Sequence, residues 1–449
     1  MQTIKSHFKS TIELAYPVVI GQLGFMMMQV VDAMMVGGLG AVPLAGASVA
    51  NSLAITIFII GLGVSIAVTP LVAISVGAKK EDDCGLLFRQ SFIINMIFSM
   101  VLCCAAYICS DLLIYLDQPV EVIVYASSYA KIIGFSFIPA MLFQTYKQFI
   151  EGFSMMRPAM VITIAANLIN IIANWLLIYG NLGFPKLGLD GAGWATFLSR
   201  LFMAVMLIVY VRKLSKFSVY DLSISFRPVN IPVIKKILSL GLPSGFQYFF
   251  EVGAFSFAVI MVGWLGAKEL AAHQIAINLA SISFMGALGI SAAGSIRVGN
   301  AVGRQNITET RRAGFSAIVL SASFMFLCGL IFIILRNELP KLYINDSVVI
   351  SLASSILLIA ALFQLSDGVQ AVGIGILRGL TDVKGPTIIT FISYWIVALP
   401  VGYLLGFIIE LGVIGVWIGL LIGLTASALM LTLRFQFKSK HTISVKIQE

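Results

Sequence analysis

Twelve long apolar stretches restrict what this chain of 449 residues can fold into. They cover residues 11–36, 44–76, 88–109, 121–146, 159–181, 188–211, 237–263, 270–299, 313–335, 347–376, 386–408 and 411–434. Each is long enough to cross a bilayer as a helix, which needs about 20 residues. Lipid offers no hydrogen-bond partner to the backbone, so only helices and closed barrels cross it, and continuous apolar runs favour helices. The pattern predicts an all-α integral membrane protein with twelve transmembrane helices.

The charge distribution predicts the orientation of these helices. Hydrophobic residues make up 59% of the chain and charged residues 11%, which is typical of membrane proteins and not of soluble domains. Of the 29 Lys and Arg residues, 23 fall on the side of the N-terminus and four on the opposite side. Cytoplasmic loops carry the excess of basic residues, so we expect both termini in the cytoplasm and a bacterial inner (plasma) membrane location. The net charge of +9 then implies no nucleic-acid partner. We expect a monomer in membrane lipid whose first span is retained.

The two halves of the chain repeat each other at a shift of 226 residues. The matching positions include Pro17 with Pro243, Met35-Val36-Gly37 with Met261-Val262-Gly263, Gly63 with Gly289, and Val76-Gly77 with Val302-Gly303. We therefore predict two six-helix bundles, at residues 1–211 and 237–449, with a cytoplasmic linker at 212–236 and a short cytoplasmic tail. Repeated halves around a shared cavity are typical of secondary transporters with alternating access. A duplicated scaffold or a channel is the alternative.

Three lone carboxylates lie inside the apolar stretches: Asp32, Glu251 and Asp367. A charge at bilayer depth is costly, and such residues usually face a water-filled cavity or a partner. No obvious buried base pairs with the three, which indicates a negatively charged cavity and a cationic ligand. Burial favours the protonated form of a carboxyl group, whereas a bound cation favours the ionised form. The acids could therefore exchange H⁺ or Na⁺ for an organic cation.

Polar side chains share helix faces with these acids. Gln29 is three residues before Asp32, Gln247 is four before Glu251, and Gln364 and Gln370 flank Asp367 at three residues on either side. Asn174 ends a stripe with Asn167 and Asn170, and Gln274 and Asn278 begin another. Residues three or four apart lie on one face of a helix, so we predict that these residues line the substrate cavity. Hydrogen bonding between helices is the alternative for any single one.

Other polar residues point to no catalytic or metal chemistry. The chain has five cysteines and three histidines without metal-site spacing, and it lacks metalloprotease and P-loop motifs. We expect no enzyme activity and no cofactor, so uphill transport would need an ion gradient. His273 is predicted to be a satisfied histidine near the outer interface. Lys131 is expected to extend towards the outer interface. Arg200 is deeper and could pair with an acid or with helix-end carbonyls.

The chain resembles the MATE (multidrug and toxic compound extrusion) family, NorM-type branch, over essentially its whole length. The resemblance is carried by Val31-Asp32-Ala33-Met34-Met35-Val36-Gly37, Pro17, Val76-Gly77, Val302-Gly303, Phe149-Ile150-Glu151-Gly152, Glu251 and Asp367. It implies antiport, in which H⁺ or Na⁺ enters while a small organic cation leaves.

The resemblance also implies roles for single residues. It ties Asp32 to proton coupling and makes Glu251 and Asp367 a possible Na⁺ site. It places Asn174 and Gln274 among the polar residues of the cavity. Phe363, one turn before Asp367, stands where some relatives have Tyr, which weakens the case for Na⁺.

The leading hypothesis is a multidrug exporter. A flippase for lipid-linked precursors, from the same superfamily, is the first alternative, but its anionic pyrophosphate cargo needs a basic cavity. An intramembrane enzyme is the second, and it lacks a nucleophile or metal constellation.

Overall fold

The computed structural model describes residues 4–116, 119–217, 220, 222 and 229–440. In this part of the chain, 12 helices are long and apolar enough to cross a membrane, and no strand is present. They are α1 Ser6–Gly37, α2 Ala41–Gly77, α3 Asp82–Tyr115, α4 Val120–Gly152, α5 Arg157–Tyr179, α6 Leu189–Lys213, α7 Ile231–Leu265, α8 Ala267–Gly303, α9 Ile307–Leu335, α10 Ser347–Gly379, α11 Lys384–Ile408 and α12 Gly412–Lys438. Each predicted stretch overlaps one helix, with ends that differ by a few residues. The predicted fold class is confirmed.

The chain divides into two compact units, and the divisions fall inside α1 and α7. The first unit is Ile20–Gly245. The second unit consists of the described residues up to Val19 and from Phe246 to 440. Pro17 and Pro243 each lie inside a helix, two residues before a division. A proline inside a helix removes a backbone hydrogen bond, so these positions suit a change of packing partner along one helix.

Paired glycines hold the early part of α1 and α7 against their units. In the first unit, a side chain at Gly63 of α2 would collide with the backbone of Gly245. In the second unit, a side chain at Gly289 of α8 would meet the Ala15 carbonyl oxygen and Val19. Small residues allow helix backbones to approach closely in membranes. Gly63 and Gly289 are equivalent in the repeat, so the same contact is built once in each unit.

Helix α11 is irregular where it packs on α12. It contains two π-helical segments, Ile392–Ala398 and Leu404–Ile408, on either side of Pro400. Single π-turns inside α-helices often occur at functional sites. A side chain at Gly423 of α12 would overlap the Ser393 carbonyl oxygen, so the two backbones are in direct contact at the first π-segment.

Replacing the residue that caps α9 is expected to destabilise the protein modestly. The Asn306 side chain accepts a hydrogen bond from the Glu309 backbone N–H at 2.9 Å. Asn306→Ala removes this cap and should cost about 1 kcal/mol of unfolding free energy, whereas Asn306→Asp keeps an acceptor and should match the wild type. Thermal unfolding of both variants in detergent measures this. Equal midpoints for Asn306→Ala and the wild type would contradict it.

Candidate functional site

In the first unit, neutral donors hold the Asp32 carboxyl group. Asn174 Nδ2 donates to Asp32 Oδ1 at 2.5 Å, and Thr196 Oγ1, whose single hydrogen can also go to the Ala192 carbonyl oxygen at 3.0 Å, lies 3.3 Å from Asp32 Oδ2. Asn174 Nδ2 also lies 3.1 Å from Asn170 Oδ1. Asn170 and Asn174 are four residues apart on α5, so helical geometry places both on the face towards α1. The set can accept or release a proton at Asp32 without breaking an ion pair.

Arg200 supplies the positive charge nearest to this site. Its Nη1 donates to Ser136 Oγ at 2.6 Å, at the interruption in the middle of α4. Its guanidinium also lies over the rings of Phe58 and Phe137, at 5.8 and 5.9 Å from the ring centroids. Asp32 is within electrostatic range of Arg200. Arg200 therefore interacts with Asp32 at a distance, and no salt bridge joins the two in the part of the chain that the structure describes.

Two other basic residues within the transmembrane helices, Lys131 and His273, contact partners outside the acid sites. Lys131 Nζ pairs with Asp111 Oδ1 at 2.7 Å. His273 is fully buried, and Trp417 Nε1 donates to its Nδ1 at 3.1 Å. Its Nε2 has no hydrogen-bond partner within the part of the chain that the structure describes. Trp417 of α12 therefore satisfies one ring nitrogen, and the position of His273 near the outer interface stays a prediction.

In the second unit, Glu251 of α7 and Asp367 of α10 form a buried acid pair. Their exposed fractions are 9% and 5%. The two carboxyl groups interact electrostatically with each other and with the Tyr394 hydroxyl of α11. Two like charges in a medium of low dielectric constant are stable together only when a proton or a cation neutralises one of them. The pair is therefore built to hold a positive charge.

Buried amides surround this acid pair. Gln247 and Gln370 lie beside Glu251, and Gln247 Oε1 accepts a hydrogen bond from Arg378 Nη2 at 3.5 Å. Gln364 and Gln370 are fully buried; Gln370 interacts with Glu251, whereas the amide nitrogen and oxygen of Gln364 have no partner among the described residues. Buried polar groups in native proteins normally find a partner, so the Gln364 amide can bind water or a ligand.

The oxygen atoms around Glu251 and Asp367 can bind a hard cation only if amide oxygens are among the ligands. No group of three or more His, Cys, Asp or Glu residues within the described ranges could hold a metal ion. Glu251 and Asp367 provide two carboxylates, and Gln370 provides an amide oxygen close by. Hard cations prefer oxygen ligands of this kind, so the residues fit Na⁺ when the amides complete the coordination.

Phe363 lies in an aromatic cluster instead of an open wall. It is 1% exposed and packs against Phe255 and Trp417, with ring centroids 6.2 and 5.5 Å apart. Phe255 in turn contacts Tyr394 at 5.7 Å. The hydroxyl that position 363 lacks is thus provided next to the acids by Tyr394, from a different helix.

The remaining predicted cavity residues form no hydrogen bond with an acid among those found in the described residues. Gln29 is exposed on α1 in the first unit. On α8 of the second unit, Gln274 is exposed and its Nε2 donates to Asn278 Oδ1 at 3.2 Å. Among the hydrogen bonds of the described residues, none joins Gln274 or Asn278 to an acid. The assignment of these three residues to the substrate cavity stays a prediction.

Sequence analysis did not identify Thr196, Tyr394 or Arg378 as site residues. Thr196 and Tyr394 are neutral and stand in helices without a polar stripe, so only the fold brings them to the acids. The topology predicted from the distribution of Lys and Arg residues placed Arg378 in a cytoplasmic loop. One signal was available: Thr196 precedes Arg200 by four residues and shares its helix face.

Comparisons with known proteins agree with this architecture. The MatE family model matches residues 17–176 and 243–404, so its two matches begin 226 residues apart, as the repeat predicts. The chain is 34% identical to the multidrug resistance protein NorM of Vibrio vulnificus (strain YJ016), over 100% of this chain and 99% of that protein. It is 34% identical to the probable multidrug resistance protein NorM of Halalkalibacterium halodurans, over 97% and 95% of the two chains. Its fold is similar to the crystal structure of the Vibrio cholerae MATE transporter VcmN in the bent form, with a TM-score of 0.87, 20% identity and 97% and 98% coverage.

Proposed function

The chain belongs to the MatE family and is of NorM type, and from this premise we propose that it exports amphipathic organic cations by antiport with H⁺ or Na⁺. It is a multi-pass membrane protein and a multidrug efflux transporter of this family. Its relatives are named as transporters, so we propose no enzyme activity. We place it in the bacterial inner membrane as a monomer with cytoplasmic termini, and transport would proceed by alternating access of its two bundles.

The observation that carries the proposal is the buried pair Glu251 and Asp367. Two buried carboxyl groups within electrostatic range of each other are costly to keep ionised together without a compensating positive charge. H⁺ or Na⁺ can provide that charge after entry, and its release leaves the pair ready for the next ion. Gln370 and Gln247 would orient the carboxyl groups and provide oxygen ligands for Na⁺.

Asp32 is the second site at which a proton would be exchanged for an organic cation. An ionised carboxylate only accepts hydrogen bonds, so the ionised form of Asp32 matches the hydrogen-bond donors Asn174 and Thr196. A protonated carboxyl group also donates, so at least one of these contacts must change when Asp32 takes up a proton. An organic cation binds best while Asp32 is ionised, which makes proton uptake and drug release compete for the same group.

Separately imposed ion gradients test the proposal. The purified protein is reconstituted in vesicles, and ethidium movement is followed by fluorescence under a proton gradient alone and under a Na⁺ gradient alone. We expect at least one gradient to drive ethidium uphill and an ionophore that collapses it to stop the movement. Folded protein that moves no ethidium under either gradient would remove the proposal.

A further inference from the structure

We propose that buried hydroxyl groups and water form a proton path in the second unit. The path would join the Glu251–Asp367 pair to the end of α11 and α12 at which Asp382 and Arg434 lie. Charge counting predicts that this end is cytoplasmic. The inference rests on the proposed function, because it concerns how protons leave the acid pair towards the cytoplasm.

Four hydroxyl groups carry the inference. Tyr394, Ser393 and Thr390 of α11 and Ser427 of α12 each have an exposed fraction of 0%. Within the described ranges, none of these four hydroxyl oxygens has a hydrogen-bond partner. Leaving one buried hydroxyl unsatisfied costs about 1–3 kcal/mol, and ordered water is the usual partner in native proteins. Four such groups on two adjacent helices indicate a hydrated seam.

Neighbouring residues on the same helices behave differently. Thr387 Oγ1 of α11 donates to the Val383 carbonyl oxygen at 2.9 Å, and Thr425 Oγ1 of α12 donates to the Leu421 carbonyl oxygen at 2.7 Å. Hydroxyl groups in helices often bond in this way to the carbonyl four residues earlier. The four hydroxyls of the seam do not, so each keeps both a donor and an acceptor for a relay.

The order of the hydroxyls along the helices matches a path. Tyr394 lies within electrostatic range of both acids, at the end of the path that is nearest to them. Thr390 is one turn closer to the start of α11, and Ser427 is one turn beyond Gly423, which touches the Ser393 backbone. Because α11 and α12 run in opposite directions, both turns lead towards the same end of the unit. Tyr394 is ten residues from Lys384, about 15 Å along the helix.

An ion pair lies at the end of the seam that is farther from the acid pair. Arg434 Nε and Nη2 donate to Asp382 Oδ2 and Oδ1 at 2.6 and 3.0 Å. Thr432, two residues before Arg434, has a further hydroxyl without a partner in the described chain. A carboxylate at this end can accept a proton from the path and release it to the bulk phase. Apart from the acid pair, the charged groups at this end include this ion pair, Lys384 at the start of α11 and Arg378 in the last turn of α10.

A relay of this kind favours protons over metal ions. Each hydroxyl or water accepts a proton on its oxygen and passes another on, so the path is unchanged after one transfer. The proton starts on Glu251 or Asp367, leaves that carboxyl group ionised for the next ion, and is released to the bulk phase at the Asp382 end. A Na⁺ ion would need several oxygen ligands at once at every step. The first π-helical segment, Ile392–Ala398, places Ser393 and Tyr394 within one widened turn.

Removing two hydroxyls tests the path. The double variant Thr390→Val with Ser427→Ala is reconstituted in vesicles with a pH-sensitive dye, and proton movement upon ethidium addition is recorded. We expect its rate to fall by about fivefold or more, the effect of about one lost hydrogen bond in a relay. Ethidium affinity should stay within about twofold of the wild type, because neither residue binds the drug. Thr390→Ser as a single variant keeps both hydroxyls that the double variant removes and should move protons at the wild-type rate. Ser355→Ala is the control, because Ser355 is exposed and donates to the Ser351 carbonyl oxygen.

The outcomes separate the path from the proposed function. Proton rates of the double variant within about twofold of an active wild type would overturn the path and leave antiport intact. A wild type that moves ethidium only with Na⁺ and moves no protons would overturn the path together with proton coupling. If the double variant does not fold, Tyr394→Phe removes one hydroxyl from a fully buried ring and is judged by the same rates.

Discussion

Replacing both acids of the second unit, in Glu251→Gln with Asp367→Asn, is expected to reduce ion-driven ethidium efflux by about 100-fold or more. The amides keep the size of the side chains but cannot hold a proton or balance a cation. A 100-fold change corresponds to about 2.7 kcal/mol, which is less than the penalty for leaving a buried charge without its partner. Initial rates in vesicles under an imposed gradient measure the effect.

A matched substitution separates this effect from a general loss of negative charge. Glu338 is exposed and pairs with Lys341 at 2.8 Å, so Glu338→Gln should transport at the wild-type rate. Size-exclusion profiles establish that the double variant is folded. Efflux by the folded double variant within about threefold of the wild type would show that the acid pair does not bind the coupling ion.

Asp32→Asn is expected to lower efflux by a similar factor, about 100-fold, through a different step. The amide can still bond with Asn174 and Thr196, so the contacts of α1 with α5 and α6 should persist. It cannot ionise, which removes both the proton acceptor and the charge that attracts an organic cation. We also expect ethidium binding to weaken by about tenfold, which corresponds to about 1.4 kcal/mol. Binding is measured by fluorescence anisotropy and efflux in the vesicle assay.

The control for Asp32 is an acid of the same unit outside the site. Asp190 accepts a hydrogen bond from Ser128 Oγ at 2.8 Å at the start of α6, so Asp190→Asn should retain efflux. Asp32→Glu keeps an ionisable group and should retain part of the activity. Wild-type efflux by folded Asp32→Asn would exclude Asp32 from coupling and leave the role of the second unit unaffected.

The residues with the largest solvation cost were the easiest to predict. Asp32, Glu251 and Asp367 are conspicuous because a charge inside an apolar stretch needs a reason, and the structure places each beside polar partners. Asn174 was found because residues four apart share a helix face, and it donates to Asp32. Gln274 followed the same rule, yet it bonds to Asn278 on an exposed surface. Helical spacing identifies a common face but does not tell what that face meets.

The amino-acid sequence alone determined the twelve spans, their repeat and the three acids. Lipid forces the backbone to satisfy its own hydrogen bonds, so apolar length is enough to identify a transmembrane helix. Only the tertiary structure decided that the units divide within α1 and α7, that Thr196 bonds to Asp32, and that Tyr394 borders the acid pair. These contacts depend on which faces of almost uniformly apolar helices meet. In lipid that choice follows from close packing and a few hydrogen bonds, which leave little periodic signal in the chain.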